Sequence, residues 1–231
     1  MTVRKHPDRD VYGDNYLRES SSAYNLQADD EDDLTGWDRP TKEFPRQGHY
    51  TIDDYAKLPE NRRFELIDGV LIELFAPSLL HQAIVQLLWH QLYHCIKESG
   101  EDCDAFLAAT DVRLDRDNRT MVQPDVFVVC RYGPFKTRWI EGAPDFAIEV
   151  LSPFNIGYDK VLKFNKYKNA GVREYWIIDP MHRKIFVYNF ENNEPEKVYP
   201  FESIIEVGIS RGKCRIDFEE ISREIAKFLE T

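Results

Sequence analysis

Glu149 is the residue with the most chemistry to explain, because it stands inside the apolar run Phe146-Ala147-Ile148-Glu149-Val150-Leu151. An ionised carboxylate in a covered central strand costs several kcal/mol to desolvate unless a cation neutralises it, so a metal ion or a lysine is expected beside it. Strict alternation on a half-exposed strand would instead turn Glu149 to solvent. A second carboxylate bears on that choice. Asp125 follows Pro124 where a loop runs into the apolar strand Val126-Phe127-Val128-Val129. Adjacent strands lie about 4.8 Å apart, so carboxylates on two of them can share one cation, at about 2.1 Å for magnesium. As the residue after a proline, Asp125 could equally serve a turn or cap.

The third element lies just downstream. Lys160, Lys163 and Tyr167 recur at spacings of three and four, which puts them on one helix face, and Lys166 and Lys168 broaden the basic surface. A lysine reaching from that helix to the strand ends could orient a metal-bound hydroxide and offset charge developing on phosphorus. A solvated amphipathic face is the plainer alternative. Asp145 also sits in a Pro-Asp pair, but it precedes Glu149 on one strand by about 13 Å, at about 3.3 Å per residue, too far to share an ion.

These residues need elements to position them. The chain has 231 residues, of which 42% are hydrophobic and 13% aromatic, enough for one principal core. Its mean hydropathy of -0.52 reads as soluble. No apolar run reaches membrane-spanning length and the N-terminus lacks a secretory apolar segment, so a cytoplasmic protein without membrane contact is expected. The net charge of -11 argues against broad electrostatic coating of nucleic acid, though not against a local basic groove. Cys95, Cys103, Cys130 and Cys214 show no zinc-like spacing, and their scatter suits reduced thiols.

Residues 1–45 carry eleven acidic against six basic side chains and no apolar periodicity, which predicts a flexible acidic tail. One domain is expected over 50–231. Thr51 is a plausible helix N-cap, with Pro59 closing the helix. Arg63 to Ile67 and Val70 to Leu74 read as strands, and Asp68-Gly69 between them is a strong hairpin signal. Ser78 to Lys97 has helical apolar spacing. Ala105 to Leu114, Val122 to Cys130 and Asp145 to Leu151 read as strands, then Tyr158 to Asn169 as a helix and Val172 to Ile178 as a strand. That last order is a crossover and implies a parallel pair. Lys184 to Phe190, Glu196 to Tyr199 and Ile204 to Ile209 read as further strands, before a closing helix from Phe218 to Leu229. The class is α/β or α+β with a mixed sheet.

The patches Phe64-Glu65-Leu66-Ile67-Asp68-Gly69, Pro77-Ser78 with His81, Gln123-Pro124-Asp125-Val126, Pro144-Asp145-Phe146 to Glu149-Val150-Leu151-Ser152-Pro153, Asp159 with Lys163, Tyr167 and Gly171-Val172, and Glu174-Tyr175-Trp176 to Asp179-Pro180 occur in this order. Together they resemble the putative restriction endonuclease domain family of the PD-(D/E)XK nuclease superfamily, over roughly Tyr50 to Tyr188. The resemblance implies a restriction endonuclease-like αβββαβ core with a mixed central sheet, an N-terminal hairpin and flanking helices. Its metal-binding carboxylates would be Asp125 and Glu149, joined by Glu65, around magnesium with manganese as the alternative ion. The superfamily's lysine usually stands two residues after the glutamate, where this chain has Leu151, so the resemblance points to Lys163 on the following helix, with Lys160 its competitor. It also marks His81 for a direct role, beside which a capping or packing role stands open.

Two readings follow. One is a magnesium-dependent endonuclease hydrolysing DNA, with Lys160, Lys166 and Tyr167 against the nucleic acid and a homodimer as the simplest way to cut both strands. The other is a nuclease-fold module that binds nucleic acid or protein without efficient chemistry. A glycoside hydrolase is a weaker third, since no aromatic sugar cleft is legible.

Overall fold

The computed structural model describes residues 45–114, 117–130, 138–152 and 162–229. The acidic tail, Lys160 and the start of the crossover helix therefore lie outside the described residues, apart from Pro45 at the tail's end. The described residues all belong to one compact unit.

Short-range chemistry sets the first elements. Helix α1 (Ile52–Tyr55) opens on Thr51, whose hydroxyl accepts from the Asp54 N–H while the Asp54 carboxylate answers the Thr51 N–H, a reciprocal capping box. Strands β1 (Arg63–Ile67) and β2 (Val70–Leu74) pair antiparallel through Asp68 at φ 52° and Gly69 at φ 80°, the two positive angles that a type I′ turn requires. Gly69 is needed for space too, since a Cβ there would meet the Gly48 carbonyl oxygen at 2.8 Å. Helix α2 (Leu79–Ser99) is capped by Ser78 and ends at Gly100 in the left-handed conformation.

The central sheet is built from β3 (Cys103–Leu107), β5 (Val126–Cys130), β7 (Phe146–Val150), β8 (Glu174–Asp179), β9 (Lys184–Asn189) and β10 (Lys197–Pro200). Its order is β10-β9-β8-β7-β5-β3, and only β7 and β8 run parallel, joined by the crossover that carries helix α3 (Phe164–Ala170). Alternation sends Val126, Val128, Phe146, Ile148 and Trp176 to one face, against α2 and the C-terminal helix α4 (Phe218–Ile225). Phe127, Ala147, Leu151, Tyr175 and Ile177 fill the other face with Tyr167 of α3. A sheet buried on both faces explains the near-continuous apolar strands.

Several expected strands are shorter. The run from Ala105 splits, because the central pairing stops at Leu107, and β4 (Val112–Arg113) joins β6 (Ile140–Glu141) in a separate parallel pair. The run from Val122 is cut by Pro124, which has no N–H for the ladder, so regular pairing starts at Val126. After β10, strand β11 (Ile204–Glu206) pairs with β12 (Arg215–Asp217), the latter too short for its periodicity to stand out in the sequence.

The expectation of reduced thiols is corrected. Cys95 is joined to Cys214, and Cys103 to Cys130, leaving no free cysteine. Linear spacing could not show this, because Cys103 and Cys130 become neighbours only through the β3–β5 register. The cysteines thus give no support to a reducing compartment. Among the described residues no helix is long and apolar enough to cross a membrane.

Candidate active site

The register of β5 and β7 decides whether the two carboxylates meet. Val126 is opposite Ile148 and Phe127 opposite Ala147, so the β5–β7 pairing leaves Asp125, just before β5, at the end of the ladder beside the C-terminal end of β7. Asp125 Oδ2 accepts the Val150 N–H at 2.8 Å, a bond that ties the carboxylate to the neighbouring strand. The same oxygen lies 3.2 Å from His81 Nε2. A carboxylate only accepts, so Nε2 is the protonated nitrogen in this contact. His81 reaches it from the first turn of α2, whose start is fixed by the Ser78 cap.

Glu149 is 3% exposed, and its Oε1 accepts from Lys163 Nζ at 3.0 Å and from the Tyr167 hydroxyl at 2.7 Å. The expected neutralising cation is thus an ammonium, delivered by the residue before α3. Lys163 Nζ also lies 2.9 Å from Oε1 of Glu65, a β1 residue with no exposure. Glu65 Oε1 further accepts the Gln123 N–H at 2.7 Å. Burial, and then the Glu149 carboxylate, hold the Tyr167 phenol well above its ordinary pKa, so it stays a hydrogen donor. Glu65, His81, Asp125, Glu149 and Lys163 line one pocket of about 260 Å³, with Gln123, Arg63 and Phe75. A larger groove of about 720 Å³ beside β9 and β10 contains none of these five.

The family model described as "Uma2: Putative restriction endonuclease" matches residues 52–209. The chain belongs to the Uma2 family. It is 26% identical to the uncharacterised protein slr1290 of Synechocystis sp. over 154 residues, which cover 65% of this chain and 77% of that protein. The crystal structure of a putative nuclease belonging to DUF820 from Anabaena variabilis superposes with a TM-score of 0.64 at 23% identity, covering 76% of this chain and 98% of that one. That likeness shows a shared fold.

Within this Uma2 chain, five of the residues singled out by sequence converge: Asp125, Glu149, Lys163, Glu65 and His81. Tyr167 is corrected. It has no exposure, so it cannot face a nucleic acid, and its hydroxyl instead holds Glu149. The face of α3 that carries Tyr167 packs on the sheet. Lys166 pairs with Asp68 in the hairpin turn, and Lys160 lies outside the described residues. Sequence reasoning gave no task to Gln123, although it stands in the Gln-Pro-Asp patch. Its backbone fixes Glu65, and its side chain bridges Arg63 and Asp111.

The donor set fits a hard divalent ion. Among the described residues no group of three or more His, Cys, Asp or Glu side chains is placed to hold a metal ion. Magnesium, however, keeps several waters and takes only one or two carboxylates besides substrate phosphate. The pocket's charged lining is Glu65, Asp125 and Glu149 with Lys163 and Arg63, beside His81. Glu65 Oε2 is buried without a hydrogen-bond partner among the described residues, an acceptor oxygen still unsatisfied.

Proposed function

We propose that this chain is a metal-dependent endonuclease-like phosphodiesterase that hydrolyses DNA, with magnesium or manganese held by Asp125 and Glu149 and assisted by Glu65. The observation that carries the reading is the single pocket lined by Asp125, Glu149 and Glu65, with the Lys163 ammonium on Glu149. The ion, when bound, supplies Lewis acidity toward a phosphoryl oxygen and a lowered pKa for a coordinated water.

The chain's own residues do the rest. Val150 N–H and His81 Nε2 hold Asp125, and the Tyr167 hydroxyl holds Glu149, so both carboxylates are oriented before substrate arrives. Lys163 Nζ holds a proton between two buried carboxylates. From there it would orient the attacking water through a hydrogen bond to that water's oxygen and donate a second one to a non-bridging phosphate oxygen, where negative charge grows in the transition state. Glu65, fixed by the Gln123 N–H, keeps that ammonium aimed into the pocket.

The test is incubation of purified protein with supercoiled and linear DNA plus magnesium or manganese. Nicking is expected, with loss of at least about a hundredfold in Asp125→Ala, Glu149→Ala and Lys163→Ala. Hydrolysis unaffected by the first two substitutions removes the assignment. The displaced lysine and the chain's net charge of -11 motivate the second reading, a binding module without chemistry. Calorimetric titration with magnesium separates the two, because only the nuclease reading requires binding that depends on Glu149.

A further inference from the structure

Phe75 lines the same pocket as Asp125 and Glu149, yet 78% of it is exposed. A large aromatic side chain left in water is the informative kind of exception to burial. It is also held firmly. Leu74 before it is paired to Arg63 in the hairpin, and three residues later Ser78 caps α2, with Pro77 restricting the short link between. Leu74, Ala76, Pro77 and Val85 continue the apolar lining around Phe75, while the carboxylates and Lys163 make up the polar lining. A pocket with one apolar and one ionic part matches a nucleotide, which has a π-faced base and a charged phosphate.

Charge narrows the choice of substrate. The chain carries a net charge of -11, which argues against binding by broad neutralisation of a duplex's phosphates. The reacting carboxylates are also recessed, Glu65 with no exposure and Glu149 with 3%. A strand whose bases are already unstacked can bring its backbone down to them while a base lies on an aromatic ring.

We propose that Phe75 is a stacking platform for an unpaired base next to the scissile phosphate, so that the substrate is single-stranded or locally opened DNA. This rests on the nuclease reading above. Base-on-aromatic stacking is sequence-tolerant and is worth roughly tenfold in affinity per base. Phe75 would therefore set substrate form and leave sequence preference untouched.

The test is fluorescence anisotropy with chelator present, so that no strand is cut. The probes are a labelled short single strand, its duplex, and the same strand made abasic. Wild type is expected to bind the single strand more tightly than the duplex. Phe75→Ala should lose about tenfold on the single strand and nothing on the abasic strand, while Phe75→Trp retains binding. Unchanged binding by Phe75→Ala, equal losses on both strands, or no single-strand binding by wild type would each overturn the proposal. Failure of the nuclease reading would show separately, as absent hydrolysis when magnesium or manganese is added back.

Discussion

Lys163 Nζ stands 3.0 Å from Oε1 of Glu149, although the two residues belong to different elements. The strand position two residues after the glutamate is Leu151, buried in the core face beside Ala147 and Tyr175. The Leu151 side chain packs among apolar groups, whereas Lys163, equally buried, meets the carboxylates of Glu65 and Glu149 that offset its desolvation. One cation there serves two buried carboxylates.

Removing it should therefore cost stability as well as chemistry. Lys163→Met leaves Glu65 and Glu149 without their counter-charge, and urea denaturation is expected to show a loss of about 3–5 kcal/mol. Adding Glu149→Gln to Lys163→Met should recover part of that loss while leaving the protein inactive on DNA. Equal stability of wild type and Lys163→Met would contradict the buried pairing.

Tyr167 offers a test at alkaline pH. Burial raises its pKa above the usual value of about 10, as burial and then Asp111 raise that of Tyr55. The folded chain thus keeps phenolic protons that the unfolded chain releases above about pH 10. Stability contributed by these groups is present below that pH and falls as pH rises toward the folded values, by up to about 1.4 kcal/mol per pH unit for each tyrosine. Tyr167→Phe should flatten the alkaline fall in the midpoint of urea denaturation, most visibly between about pH 10 and 11. It should also lower the rate of DNA hydrolysis, because Glu149 loses a hydrogen bond.

The two Pro-Asp pairs should separate cleanly. Asp145 Oδ2 accepts the Cys130 N–H at 2.7 Å and Oδ1 accepts from Arg173 at 3.0 Å, so its work is to fasten β5 to the crossover. Asp145→Asn is expected to lower stability by about 1 kcal/mol with hydrolysis retained. Asp125→Asn should do the opposite, abolishing hydrolysis with a smaller change in melting temperature.

The cysteines give a fourth prediction. The Cys95–Cys214 bond closes a loop with a sequence separation of 119, which ties α2 to the β11–β12 region. Full reduction should lower stability by about 2–4 kcal/mol, read from denaturation with and without dithiothreitol. Thiol titration of the unreduced, unfolded chain should find no reactive cysteine. A full complement of thiols would restore the reduced reading.

Local signals were the most legible. The Asp68-Gly69 turn, the Thr51 cap and the order of strand, helix and parallel strand each depend on a few neighbouring residues, and each stands in the fold. The placing of Asp125 and Glu149 in one pocket was foreseeable because one leads into and the other stands within neighbouring apolar strands of one sheet. What stayed hidden depends on contacts between distant segments. The Cys103–Cys130 bond follows from a strand register, and the inward face of α3, which buries Tyr167, follows from which side of the sheet the crossover covers. Gln123 escaped notice because its contribution to Glu65 is a backbone N–H, which no side-chain identity encodes.

Lys163 comes from the crossover, Glu65 from β1 and Glu149 from β7, so the buried ion triad exists only where three separate segments have come together. A nascent or partly unravelled chain would hold these acids without their ammonium. Under the proposed activity, maturation of the fold is itself a safeguard, keeping hydrolysis of genetic material out of reach until the last connection has closed.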